Sequence, residues 1–273
     1  MALTYGTIWG DYGDEKVTVT PSVTFPSGSA ATAPNSGDLD PNNGIMIGTR
    51  MILPDGRVFR YSFANGAVGA GTGVQSSAAL ANHDSDLAVA TSAAVGDKSV
   101  SITLGSTAAA VNLYANGYFY CNDSGASAGE GHVYRIRQHD AIGSGGTGTI
   151  NLMDGDTIAE ALTAAASQVG LVANPYMHVI PSPGGAQTGR TVGFAPCEVA
   201  DNSYFWAQTW GEAAVLADGT LVIFRPIRMS DGTAGAVEEY SSQTDAEEQV
   251  VGFATNVLAA TTEYQFAFLQ ISP

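Results

Sequence analysis

Beyond residue 45 the chain is written largely in a period of two. Over 98–104, Val100, Ile102 and Leu104 alternate with Ser99, Ser101 and Thr103, the pattern of a strand with one covered face. Over 132–139, Val133, Arg135 and Arg137 alternate with Tyr134, Ile136 and Gln138. The aromatic stretch 112–122 precedes it across a turn at 123–131, which predicts a hairpin with a long loop. Further strands are predicted at 84–90, 149–153, 177–180 and 192–195. Two closing strands are predicted at 249–256 and 263–271, with Tyr264, Phe266 and Phe268 sharing one face and Leu269 and Ile271 the other.

The most informative stretch is 203–228. Tyr204, Trp206 and Gln208 fall on one face of a strand, and Phe205, Ala207 and Thr209 on the other. The tryptophans Trp206 and Trp210 are expected to anchor a core. The apolar runs 213–216 and 221–224 flank Ala217-Asp218-Gly219-Thr220, and Asp-Gly between apolar runs predicts a hairpin. Residues 45–63 repeat the device around Asp55-Gly56. Val192-Gly193-Phe194-Ala195 is echoed by Val251-Gly252-Phe253-Ala254, too briefly to define a repeat. The glycine- and alanine-rich 64–81 reads as a connector. One helix is predicted, over 157–168, with Asp156 as its cap and Ile158, Ala161, Leu162 and Ala165 at helical spacing.

Residues 1–44 differ from the rest. Short strands are predicted at 4–9 and 16–20, and then Pro21, Pro26, Pro34 and Pro41 punctuate a small, polar stretch. Proline removes ladder donors and favours extended chain. The expectation is an extended N-terminal arm over 1–44 that lies along another surface; the other reading is a disordered tail. The fold class expected is mainly β: an antiparallel sandwich or barrel-like domain over 45–273 with at most one or two short helices. Two sub-domains, divided near 190, are a further option.

Composition narrows the function. Hydrophobic residues are 45% of the chain, enough for a core, while charged residues are only 13%, about half the usual share. Net charge is -16 with ten basic residues, so neutralising the phosphates of a nucleic acid is not expected. An acidic exterior suits solubility or docking on a basic protein surface. Cys121 and Cys197 are expected as buried free thiols, with one disulfide as the alternative. No run approaches the roughly 18 apolar residues of a membrane span. The N-terminus shows no signal-peptide pattern, so no membrane partner and synthesis in a cytoplasm are expected.

The chemical motifs read as structure. Gly143-Ser144-Gly145-Gly146-Thr147-Gly148 matches a dinucleotide fingerprint in letters, but a strand rather than a helix is predicted to follow. Gly125-Ala126-Ser127-Ala128-Gly129 matches a nucleophile elbow without the strand-to-helix context that exposes the serine, although His132, His139 or His178 could stand at a distance as base. Asp38, Asp40 and Asn42 begin a calcium-loop pattern that Asn43 and Thr49 break. Asp154-Gly155-Asp156 reads as a turn, and His83 with Asp84 and Asp86 lacks metal-ligand spacing. Asp14-Glu15, Glu238-Glu239 and Glu247-Glu248 read as solvated faces. Arg57, Arg60, Arg135, Arg137, Arg225 and Arg228 fall on strands or strand ends, paired either within the chain or with acids of a neighbouring subunit. No catalytic residue, cofactor-binding residue or metal ligand is assigned, and the chain is not expected to be an enzyme.

Several phrases together resemble a family. They are Leu53-Pro-Asp-Gly-Arg-Val-Phe-Arg-Tyr61, Ala94-Val-Gly-Asp-Lys-Ser-Val-Ser-Ile-Thr-Leu104, Gly129-Glu-Gly-His-Val-Tyr-Arg-Ile-Arg137, Asn174-Pro-Tyr176, Trp206-Ala-Gln-Thr-Trp-Gly211 and Ala217-Asp-Gly-Thr-Leu-Val222. Over about residues 50–271 the chain resembles tailed-bacteriophage capsid decoration, or cement, proteins encoded beside the major capsid protein. Its closing segment, Val251-Gly-Phe-Ala254 with 264–271, is similar to the end of small trimeric decoration proteins. The resemblance implies a virion protein on the outer capsid surface, trimeric, bound to the major capsid protein and needing no cofactor. The rival expectation is a receptor- or glycan-binding fibre or spike component, with Tyr5, Trp9 and Tyr12, or Tyr118 and Tyr120, stacking on sugar rings.

Overall fold

The alternating stretches form β-strands throughout, and the computed structural model describes residues 7–9, 45–122, 129–240, 249–259 and 262–273. In chain order the strands are β1 (Thr7–Trp9), β2 (Arg50–Ile52), β3 (Val58–Phe63), β4 (Gly73–Gln75), β5 (Leu87–Thr91), β6 (Ser99–Thr103) and β7 (Tyr118–Cys121). They continue with β8 (Val133–His139), β9 (Thr147–Leu152), β10 (Gln168–Val172), β11 (Ile180–Pro181), β12 (Thr191–Phe194) and β13 (Tyr204–Ala217). The last are β14 (Thr220–Leu221), β15 (Pro226–Met229), β16 (Val237–Glu239), β17 (Val250–Ala254), β18 (Leu258–Ala259) and β19 (Glu263–Gln270). The described residues contain no helix.

The chain divides into two units. The first holds 45–77 and 175–273 together with β1; the second holds 78–174 and is a sequence insertion within the first. The division therefore falls at 77/78 and 174/175 and not near 190. Residue 190 lies just before β12, inside the continuous sheet of the first unit. The arm residues 10–44 lie outside the described residues. Of the arm only Thr7–Trp9 is described, paired antiparallel with β2.

The second unit is a closed barrel in the order β10-β5-β6-β9-β8-β7. Closure removes the free edges that an open sheet would expose. Its interior takes the inward members of each alternation: Val100 and Ile102 from β6, Phe119 from β7, Ile136 from β8 and Ile150 from β9. The predicted helix over 157–168 is absent. Ile158 and Leu162 are fully buried in this core, but as separate plugs on an irregular segment. Leu162 exchanges backbone hydrogen bonds with Ala93 in both directions, and Ile158 N–H donates to Asp97. Spacing of four residues met a helical template, yet the barrel end satisfied those backbone groups instead.

In the first unit β13 is the organising strand, and it runs along four neighbours. Residues 204–210 pair with β3, Gln208 pairs with Phe194 of β12, 210–217 pair with β19, and Ala217 pairs with Val237 of β16. From its second half the pairings run β13–β16–β15–β17–β19 and return to β13, a closed circuit of five strands. Both faces of its first half are covered. Tyr204 and Trp206 join Tyr61 and Phe63 in one cluster, while Phe205 and Ala207 join Val74 and Val192 in another.

The first Asp-Gly turn closes the hairpin of β2 and β3, with Gly56 at φ 86°. The second is a turn, with Gly219 at φ 82°, but it makes no hairpin. Both edges of β13 are already occupied near Ala217, by β19 and by Val237, so the chain leaves the sheet and β14 pairs with β18. The stretch 64–81 is also more than a connector. It contributes the buried strand β4, which pairs with β11 and β12. Its small residues permit the fit: a Cβ on Gly73 would lie within 3.1 Å of Phe194 and closer still to Met229.

Candidate functional site

The five-strand circuit places its aromatic residues outward. Along β19, Gln265, Ala267 and Leu269 face in, whereas Tyr264 is 55% exposed, Phe266 is 47% exposed and Phe268 is half-buried. A ring of five strands has a narrow interior. Its core combines small residues such as Ala213, Ala217 and Ala254 with Val215, Ile227, Met229 and the Phe194 ring. Across the strands, Glu212 stands opposite Phe268 and Ala214 opposite Phe266. Phe253 of β17 stacks on Phe268 at 5.3 Å and 14°, and Trp210 meets Phe268 edge-on at 5.7 Å and 78°.

Beside this face lies a groove of about 650 Å³. Trp210, Glu212, Phe266 and Phe268 line it on the sheet side; the Asp55–Arg57 turn and the 194–196 segment also line it. A β-bulge shapes it: the register of β13 against β3 slips between Gln208 and Trp210, and Gly211 sits at φ 88°. A Cβ on Gly211 would lie 3.1 Å from the Arg57 side chain and 3.2 Å from its Cα. The Gln208 amide locks the bulge by donating to the carbonyls of Trp210 and Glu212.

Charge in the groove is uneven. Arg57 Nε donates to Asp55 at 2.7 Å, and its guanidinium lies 5.9 Å from the Phe59 ring centroid. Partial burial pushes the Asp55 carboxyl up, but the hydrogen bonds and charge of Arg57 outweigh it and hold the group below its ordinary value. Glu212 is exposed and accepts one long hydrogen bond, from Thr255 Oγ1 at 3.4 Å. Among the described residues no cationic group pairs with it.

A second apolar exposure is the tip Val222-Ile223-Phe224. All three side chains face solvent, Phe224 at 76%, and Phe224 holds φ 65° in a region that bulky residues seldom occupy.

Ser127 lies outside the described residues, as do Asp38, Asp40, Asn42, Asp14-Glu15, Glu247-Glu248, Tyr5 and Tyr12. Gly143–Gly146 forms a turn, and Thr147 and Gly148 begin β9. Asp154 pairs with Arg137 and Asp156 with Arg135. His83 is buried, its ring bonded to the Tyr114 hydroxyl and the Thr107 carbonyl, away from any ligand role with Asp84 or Asp86. His139 accepts from the Tyr114 amide through Nε2, which leaves Nδ1 as the donor to the Asp140 carbonyl; burial keeps it neutral by lowering its pKa. Among the described residues no group of three His, Cys, Asp or Glu side chains is arranged to hold a metal.

Other expectations are corrected. Trp206 is a core anchor, but Trp210 lines the groove. Glu238 and Glu239 are half-buried and paired with Arg228 and Arg225. Burial raises the Glu238 carboxyl above its ordinary value despite Arg228. Both cysteines are free, yet only Cys121 is buried, which pushes its thiol up to about 11; Cys197 is half-buried. Five of the six strand arginines pair with acids of this chain, and Arg60 donates to the Gly48 carbonyl and to Ser272. Tyr118 is exposed, but the Tyr120 hydroxyl is tied to the Asp84 carbonyl. No described helix is long and apolar enough to cross a membrane.

No protein family, curated protein or solved structure matches this chain. The site therefore rests on its own geometry. Sequence reading passed over Glu212 and the groove, because strand alternation tells which residues share a face but not which face is covered.

Proposed function

We propose that this protein is a structural component of a virion that decorates and cements an icosahedral capsid, docking as a homotrimer across neighbouring major capsid protein subunits on the outer surface. The observation that carries this reading is the outward aromatic stripe Tyr264, Phe266 and Phe268 on the five-strand circuit. Large apolar side chains that face solvent in a contiguous row mark contact surfaces for other proteins. The apolar tip at 222–224 adds a second such feature. The phrase-level resemblance to decoration proteins supplies the kind of particle.

The test is an image reconstruction of the particle, joined to a heat-release assay on particles lacking this protein. Many copies spread over the shell, with earlier genome release in their absence, are expected. Copies confined to a vertex or a tail would point to the receptor- or glycan-binding role and overturn the cement role.

A further inference from the structure

We propose that the groove beside β13 and β19 seats an arginine or lysine side chain presented by the partner protein. This rests on the reading that the partner is a protein, and it specifies the chemistry of the contact. Trp210 and Phe268 cross at 78° with centroids 5.7 Å apart, and Phe253 takes one face of Phe268, so the corner in the groove is built chiefly on the Trp210 ring. Ring faces attract cations, most strongly that of tryptophan. Glu212 is the cross-strand neighbour of Phe268, so its carboxylate projects from the same sheet face. That carboxylate is exposed and has no cationic partner among the described residues.

The groove wall already carries the same arrangement in completed form. Arg57 is held between the Phe59 ring and the Asp55 carboxylate. Trp210, Phe268 and Glu212 set rings and an acid beside one another in the same groove. This chain has few cations of its own to place there. It holds ten basic residues against 26 acids, and Arg57, Arg135, Arg137, Arg225 and Arg228 are engaged internally. A net charge of -16 favours approach of a basic surface and disfavours an anionic one. A volume of about 650 Å³ accommodates a long basic side chain with its flanking backbone.

A neutral sugar would use the ring surfaces without needing the charge on Glu212, and this separates the two ligands. The full chain is titrated by NMR with an acetylated, amidated Gly-Ser-Arg-Ser-Gly peptide, with its citrulline counterpart, and with maltose. The arginine peptide should shift the Trp210 indole signal at millimolar concentration. Citrulline in place of arginine, and Glu212→Gln with the arginine peptide, should each weaken binding by about tenfold. Added salt should weaken it further. Trp210→Ala should abolish the peptide-induced shifts of the Gly211 and Glu212 amides while amide signals of the second unit stay unchanged. Equal affinity for the citrulline peptide, maltose binding indifferent to Glu212→Gln, or no shift at Trp210 would each overturn the assignment.

Association of wild type and Glu212→Gln with capsids separates this inference from the capsid reading. Capsid binding that Glu212→Gln leaves unweakened overturns the groove assignment alone. Peptide binding by a protein absent from the particle surface overturns the capsid reading alone.

Discussion

β6 and β19 carry the same alternation and turn opposite chemistry to solvent. β6 buries Val100 and Ile102 and shows Ser99, Ser101 and Thr103. β19 buries Ala267 and Leu269 and shows Tyr264 and Phe266. The six-strand barrel of the second unit encloses Phe119 and Tyr134 and finishes β6 in hydroxyls. The core of the five-strand circuit of the first unit is mostly alanines and aliphatic residues, with Met229 and the one ring of Phe194 from β12, and Tyr264 and Phe266 of β19 stay outside. A β-strand has two faces, so where one face of β19 packs inward with Ala267 and Leu269, the rings on its other face become surface. β6 thus presents a polar wall to solvent, whereas β19 presents an apolar one.

The same substitution should therefore do opposite things in the two units. Phe119→Ala, at a position with no solvent exposure, should cost about 3–5 kcal/mol in the unfolding of the second unit. Denaturant unfolding followed by amide exchange over 78–174 would measure it, and a loss below about 1 kcal/mol would break the contrast.

Gly211→Ala comes next. A left-handed Cβ at φ 88° should cost about 1–2 kcal/mol, with the Arg57 contact added to it. Its effect should be confined to the first unit and should disturb the Trp210 signal, which near-ultraviolet circular dichroism would report.

Acidification should give a smaller loss that both units share. Burial lowers the pKa of His139 in the second unit and of His178 in the first below the ordinary 6.5. A buried neutral histidine contributes stability in full above 6.5, and that contribution is lost as pH falls below it, because the unfolded chain then binds the proton more readily. Amide exchange between pH 7 and pH 5 should show faster opening in each unit at the lower pH. Imidazole titration by NMR should show both rings still neutral where an exposed histidine is charged.

The smallest stability change should come from Phe266→Ala. A half-exposed ring should cost no more than about 0.5 kcal/mol to remove, while docking weakens. Loss of stability comparable to that of Phe119→Ala would mean that the outer stripe is core after all.

Much of the fold was legible because period-two alternation and turn residues are local signals. The β2–β3 hairpin, the pairing of β7 with β8, and the two closing strands all follow from them. The misreadings share one physical origin, competition for backbone partners. Asp218-Gly219 had hairpin chemistry, but β19 and Val237 already held both edges of β13. Ile158 and Leu162 had helical spacing, but the barrel end bonded their backbone groups. Trp210 had the composition of an anchor, but the Gly211 bulge placed it in the groove.

By itself the sequence determined that the chain folds as strands, where those strands turn, and that its exterior is acidic and sparing in charge, since each depends on neighbours in the chain or on totals. Only the tertiary structure decided which strands close on which, and so which face of each alternation is interior. Closure depends on long-range pairing, and it decides whether Phe266 lies in the core or at the surface.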